Sequence, residues 1–273
     1  MNRYTWRTGV REIALIAVAL VYLIPIAALV NVAFRPAESR AGALTPSWPP
    51  TFDNFAQAWT QGALGPALVN SAIVSVASVL GVTVISAFAA YPLARVGRRW
   101  SRVAFYGFLG GLLLPGQLAL LPLYTTMRDL GLLGGLPALI LINIGGQLPF
   151  SIFLYTTFLR EMPRDYEEAA LLDGCGPVRA FVSVVFPMLR AVTGTVVILN
   201  SVSVWNEFFN PLLYLSGSGN TTAPVAIYNF VGQYVAQWPL VFAGLVITTI
   251  PVLLLYFALQ KYIIKGFAGG LKG

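Results

Sequence analysis

The sequence predicts an all-α integral membrane protein with six transmembrane helices and both termini in the cytoplasm. Of its 273 residues, 57% are hydrophobic and only 10% are charged, whereas soluble domains carry about 25% charged residues. The apolar residues fall in six runs, each long enough, at about 1.5 Å per residue, to cross a hydrocarbon core of about 30 Å. Basic residues alternate by side: 14 of the 17 Lys and Arg lie on the assigned inner side, and only Arg35, Arg40 and Arg128 fall outside. This is the asymmetry of cytoplasmic loops, and it accounts for the net charge of +7 without nucleic acid as a partner.

Arg3, Arg7 and Arg11 precede the first run, residues 13–34. A signal peptide has an apolar region of only about 7–15 residues and an A-x-A site, so this run reads as an uncleaved span. Residues 35–66, with Pro36, Pro46, Pro49 and Pro50, read as an external loop. The second span, residues 67–93, is followed by the basic cluster Arg95, Arg98, Arg99 and Arg102. The third, residues 103–127, contains Pro115-Gly116-Gln117, and the fourth, residues 136–159, contains Gly145-Gly146-Gln147-Leu148-Pro149. A cytoplasmic segment, residues 160–190, leads to the fifth span, residues 191–215, which carries Asn200, Asn206 and Glu207. Residues 216–238 read as a loop rich in Gly, Asn and Thr; the sixth span, residues 239–263, ends in a glycine-rich cytoplasmic tail, residues 264–273. Residues 1–273 form a single transmembrane domain in this reading.

Glu167-Glu168-Ala169-Ala170-Leu171-Leu172-Asp173-Gly174-Cys175-Gly176-Pro177 is a polar island between apolar stretches. It predicts two short helices meeting at a corner. Asp165 is placed to cap the first and Glu168 to complete a capping box. Gly174 ends it in a left-handed turn, and Pro177 suits the first turn of a second helix through Ala180, Val184 and Pro187. By local chemistry alone this is either a mechanical joint or a well-capped loop.

Histidine is absent and Cys175 is the only cysteine, which removes most metal sites, disulfides and His-based chemistry. No G-x-x-x-x-G-K-[ST] loop is present, so nucleotide is not bound by that route. No motif pairs a nucleophile with a base, and neither catalytic nor metal-binding residues are assigned. Polar groups at membrane depth are costly unless they face a cavity or a partner helix. Gln117, Gln147, Asn206 and Glu207 are therefore candidates to line a solute pathway, with donors and acceptors that match hydroxyl groups, and interhelical hydrogen bonding is the competing role. An ion-coupled secondary transporter is the main rival, but Glu207 is the only clear intramembrane carboxylate.

The spacing Glu168-Ala169-Ala170, three residues, Gly174, nine residues, Val184-Val185-Phe186-Pro187 resembles the E-A-A, x3, G, x9, I-x-L-P pattern of membrane subunits of ATP-binding-cassette (ABC) importers. Val184 and Phe186 replace the usual Ile and Leu. The tail Lys265-Gly266-Phe267-Ala268-Gly269-Gly270-Leu271-Lys272-Gly273 resembles that of the maltose-type carbohydrate permeases, of the smaller six-helix subunit. Asn54, Asn70-Ser71, Leu148-Pro149-Phe150 and Trp205-Asn206-Glu207-Phe208 are further matches.

The resemblance implies a type I ABC importer (MetI-like) permease fold and ATP-driven sugar uptake across a bacterial or archaeal cytoplasmic membrane. A polyol or a glycerophosphate compound is the alternative cargo. It implies a heterodimer with a second permease subunit, two ATPase subunits that bind ATP and Mg, and an extracytoplasmic solute-binding protein or lipoprotein. This chain itself holds no cofactor in that scheme, and its remaining neighbour is membrane lipid. Glu167, Glu168, Ala169, Ala170, Asp173, Gly174 and Pro187 would couple to the ATPase. Gly269, Gly270, Leu271, Lys272 and Gly273 would contact the ATPase dimer, and Gly217, Ser218, Gly219 and Asn220 the binding protein. A disordered tail and a merely solvated loop are the respective alternatives.

Overall fold

The computed structural model describes residues 6–36, 39, 42–46, 48–234 and 237–270. Helices dominate, and no strand occurs among the described residues. In order they are α1 (Trp6–Ala33), α2 (Asp53–Gln61), α3 (Leu64–Arg95), α4 (Arg99–Leu113), α5 (Leu120–Asp129), α6 (Leu136–Glu161), α7 (Asp165–Leu172), α8 (Pro177–Ala180), α9 (Phe186–Met188), α10 (Arg190–Trp205), α11 (Phe209–Tyr214), α12 (Ala223–Tyr234) and α13 (Trp238–Gly270). Four of them, α1, α3, α6 and α13, contain single apolar stretches long enough to cross a membrane. Two further stretches do so only as bent pairs, which raises the number of spans to as many as six.

The first bent pair replaces the continuous third span expected from the sequence. Gly116–Asp129 turns 96° from Arg99–Leu113. The cause is local: Leu114 precedes a proline and is held extended at φ −82° and ψ 125°, because the proline ring excludes the helical region for the residue before it. The expected fifth span is divided between α10 and α11, and the second bent pair joins α10 to the segment before it. Pro177–Met188 turns 76° from Arg190–Trp205, and α11 follows as a separate short helix. Gly145, Gly146 and Pro149 do not interrupt α6, which runs unbroken.

Two compact units divide the chain. In the unit formed by residues 1–65 and 226–250, the sequence reading of 35–66 as loop is corrected by α2, an amphipathic helix that buries Asn54 and Ala58. The Asn54 amide donates to the Ala33 carbonyl at 2.8 Å and the Arg35 carbonyl at 2.7 Å. Phe34 stacks edge-on against Phe52 and tilted against Phe55, with centroids 5.1 and 4.8 Å apart. Here α12 and α13 meet closely: a Cβ at Gly244 would lie 3.0 Å from Ile227 Cδ1.

In the unit formed by residues 66–225 and 251–273, small residues let α3 approach α6; a Cβ at Gly81 would come within 2.5 Å of Ile144 Cδ1. Tyr155 donates to Thr193 Oγ1 at 3.0 Å and Asn200 to Ser151 Oγ at 3.0 Å, joining α6 to α10. Asn70 Nδ2 donates to the Thr221 carbonyl at 2.9 Å, and Ser71 Oγ accepts from the Ala223 N–H at 2.8 Å. These bonds dock the start of α12 on α3. The expected loop over residues 216–238 is thus largely helix, because Ala223, Ala226, Ile227 and Phe230 fall at helical spacing and are buried. The tail also departs from expectation: α13 continues past residue 263 to Gly270, while Leu271, Lys272 and Gly273 lie outside the described residues.

Asn54→Ala removes both tethers between α2 and the segment after α1. At about 1 kcal/mol for each bond, it should lower the midpoint of thermal unfolding in detergent by several degrees, as read by tryptophan fluorescence.

Candidate functional site

Two features stand out, an elbow and a cavity. The elbow begins at α7, but not through the expected capping box. Arg164 is the residue before the helix and is itself helical in backbone, with no side-chain cap. Asp165 is therefore already inside the first turn with Glu167 and Glu168, where the carboxylates complement the helix dipole instead. The C-terminal end closes as a Schellman motif: Cys175 N–H donates to the Ala170 carbonyl at 3.0 Å and Gly174 N–H to the Leu171 carbonyl at 3.1 Å. Gly174 supplies the required left-handed backbone at φ +80°.

The second arm starts as α-helix at Pro177, widens into a π-helical turn over Phe181–Val185 and returns to α-helix at Phe186–Met188. Pro187, which has no N–H to offer the preceding turn, stands just beyond the π-helical turn. Phe181, Val185 and Leu189 from this arm are buried with Ala87 and Ala90 of α3 and Tyr155 and Leu159 of α6.

The adjacent glutamates Glu167 and Glu168 separate in role. Glu167 is 6% exposed; its Oε1 accepts from Arg95 Nε at 2.7 Å and its Oε2 from Tyr91 OH at 3.1 Å. Arg95 also donates to the Met162 carbonyl at 3.2 Å, and Arg164 donates to the Arg95 carbonyl at 3.3 Å. Glu167 thus points inward and cannot offer its carboxylate to another protein. Sequence reasoning grouped it with the outward residues because neighbours in sequence look alike until the helix face is known. Glu168, Ala169, Leu171, Leu172 and Asp173 form the outward face, and Leu172 is 89% exposed. Ala170 is buried and Pro187 exposed.

The cavity has a volume of about 750 Å³. Gln117, Gln147 and Glu207 line it, brought together from the break after α4, from α6 and from the break after α10. Asn206 is not among the lining residues; its amide donates to the Val202 carbonyl of its own helix at 2.9 Å. Gln147 also donates to Ser203 Oγ at 2.7 Å, so it bridges α6 and α10 while facing the cavity. Glu207 Oε1 accepts from the N–H groups of Phe209 and Asn210 at 3.0 and 3.1 Å. That carboxylate caps α11, which gives the acid a structural role at this break. Gly145 and Gly146 form part of the wall, with no atom within 4 Å of a built Cβ. Asn143 and Asn210 also line the cavity and were missed; Asn143 stands four residues before Gln147, on the same helix face, and that spacing was the available signal.

Gly217, Ser218, Gly219 and Asn220 form a fastened turn, not a pliable loop. Asn220 Nδ2 donates to the Gly134 carbonyl at 2.9 Å and Ser218 Oγ to the Leu215 carbonyl at 2.8 Å. Gly269 and Gly270 are the last helical residues of α13.

Several apolar helices, a solute-sized cavity between some of them with both apolar and amide lining, and an exposed elbow define a multi-pass membrane protein built to pass or hold a solute. The family model for the binding-protein-dependent transport system inner membrane component matches residues 83–269, and the chain belongs to that family. The melibiose/raffinose/stachyose import permease protein MelC of Bacillus subtilis (strain 168) is 32% identical over 221 residues, covering 81% of this chain and 80% of MelC. The diacetylchitobiose uptake system permease protein NgcG of Streptomyces coelicolor is 37% identical over 221 residues, covering 80% of this chain and 73% of NgcG. The crystal structure of a bacterial ABC transporter involved in the import of the acidic polysaccharide alginate contains a chain that superposes with a TM-score of 0.80 at 21% identity, over 96% of this chain and 99% of that one. That likeness establishes the fold.

Glu167→Ala leaves Arg95 buried without its counter-charge. A loss of about 3–5 kcal/mol is expected, with part recovered in the double variant Glu167→Leu/Arg95→Met, read as melting midpoints of the detergent-solubilised protein. Gly174→Ala, where space is free but the backbone is left-handed, should cost only about 1–2 kcal/mol.

Proposed function

We propose that the chain is the membrane-spanning permease subunit of an ATP-driven importer, forming with a second permease subunit the pathway for a mono-, di- or oligosaccharide. An extracytoplasmic solute-binding protein or lipoprotein delivers the sugar, and two ATPase subunits bind ATP and Mg. The membrane is the bacterial or archaeal cytoplasmic membrane, with both termini inside.

The observation that carries this reading is the elbow. It presents Leu172, Leu171, Tyr166 and Val178 to the outside beside Glu168 and Asp173, an apolar patch with an acidic rim, on a base fixed by Glu167 and Phe181. A partner that presses on this face moves α3, α6 and α10 together, because the elbow's inner side is packed against all three. The cavity supports the choice of cargo. Its volume is in the range of small-molecule sites, and its amides supply both donors and acceptors for hydroxyl groups. The names of MelC and NgcG point to sugars as well. Gly269–Gly273 is assigned to the ATPase side and the turn at Gly217–Asn220 to the binding protein.

Two variants separate the roles. Leu172→Asp should reduce sugar uptake by roughly tenfold or more and abolish copurification of the ATPase, with the chain still present in the membrane; normal uptake would refute the coupling role. Gln147→Ala should raise the sugar concentration for half-maximal uptake by about fivefold, the equivalent of one lost hydrogen bond.

A further inference from the structure

The turn between α3 and α4 holds a second concavity, of about 250 Å³, lined by Gly97, Arg98, Ser101, Arg102, Tyr106 and Arg160 among others. Its floor is fixed. Ser101 Oγ donates to the Pro92 and Leu93 carbonyls at 3.3 and 3.1 Å, fastening the start of α4 to the end of α3. The Arg160 guanidinium lies 4.2 Å from the centroid of the Phe105 ring, and its Nη2 donates to the Leu93 carbonyl at 3.5 Å.

None of the three arginines is neutralised. The ion pairs among the described residues are Arg95 with Glu167 and Arg128 with Asp129, and Arg98 and Arg102 make no side-chain hydrogen bond in the described structure. Three cations around one hollow repel one another unless an anion joins them. Sidedness explains why arginines are abundant at this turn. It does not explain why three of them from two separate segments converge.

The position selects the anion. The hollow lies where one membrane-spanning helix ends and the next apolar helix begins, which is headgroup depth. Beside it Trp100, Val103 and Tyr106 are 51, 70 and 62% exposed, giving an interfacial aromatic pair and an apolar wall. A phospholipid satisfies both surfaces, with its phosphate forked by guanidinium groups and its acyl chains along the wall. We infer that this pocket binds the phosphate group of an anionic phospholipid.

The test uses the full chain, purified and delipidated in detergent, with native mass spectrometry during titration by phosphatidylglycerol, by phosphatidylcholine and by inorganic phosphate. Phosphatidylglycerol should bind well above phosphatidylcholine. Arg98→Ala/Arg102→Ala should weaken phosphatidylglycerol binding by about fivefold for each arginine, Arg98→Lys/Arg102→Lys should retain only part of it, because lysine keeps the charge and loses the fork, and Arg128→Ala should leave it unchanged. Both arginines are exposed and unbonded, so these variants keep the fold, checked by an unchanged melting midpoint. Equal binding of the two lipids, or unaltered phosphatidylglycerol binding by the double alanine variant, overturns the inference. So does inorganic phosphate binding as tightly as the lipid, which would make this a site for free phosphate.

Discussion

The buried pair of Arg95 and Glu167 governs what the rest of the molecule can do. A carboxylate removed from water is tolerated only when its charge is met and its lone pairs are occupied. Glu167 has both, from Arg95 and from Tyr91. Because Arg95 ends α3 and Glu167 lies in the first turn of α7, the pair fixes an otherwise exposed elbow to a membrane-spanning helix. The Schellman closure at Gly174 and the Phe181 cluster then make the elbow a solid body. An outward face of leucines and acids is useful to a partner only if its base does not yield.

The cavity arises from interrupted helices. Pro115 forces Leu114 out of the helix, and the chain turns sharply before resuming at Gly116. The break after Trp205 leaves the N–H groups of Phe209 and Asn210 without intrahelical partners, and Glu207 meets them. Both breaks place irregular backbone beside the cavity, and non-helical backbone at membrane depth is tolerated where it lines a cavity or is buried in protein. The charge of Glu207 is thus tied to helix capping, and the rest of the cavity's polar lining consists mainly of amides.

Much of this was legible in the sequence. Apolar length revealed α1, α3, α6 and α13, and the spacing from Glu168 to Pro187 identified both the elbow and the kinship. What remained hidden depended on direction. Glu167 and Glu168 are adjacent and chemically alike, and only the helix face assigns one to the interior. Pro115 lies within the third apolar run, where a proline disturbs a helix, but the size of the turn depends on packing beyond the local residues. Residues 216–238 looked like loop because Gly217, Gly219 and Asn220 lead the segment, whereas the helix after them is stabilised by the burial of Ala226, Ile227 and Phe230 and by the docking of its start on Asn70 and Ser71. Asn206 and Gln147 were equivalent as polar residues in apolar runs. Their rotation about the helix axis, not their depth, decides which one meets the cavity.

The paired glycines on α6 have a bearing on evolution as well as on shape. Gly145 and Gly146 lie in an unbroken helix and have open space where side chains would stand, so the width of the cavity at this point is set by missing atoms. A larger helix-forming side chain there subtracts from the cavity while leaving the helix intact. A descendant could thus reshape this hollow through a single codon without rebuilding the scaffold.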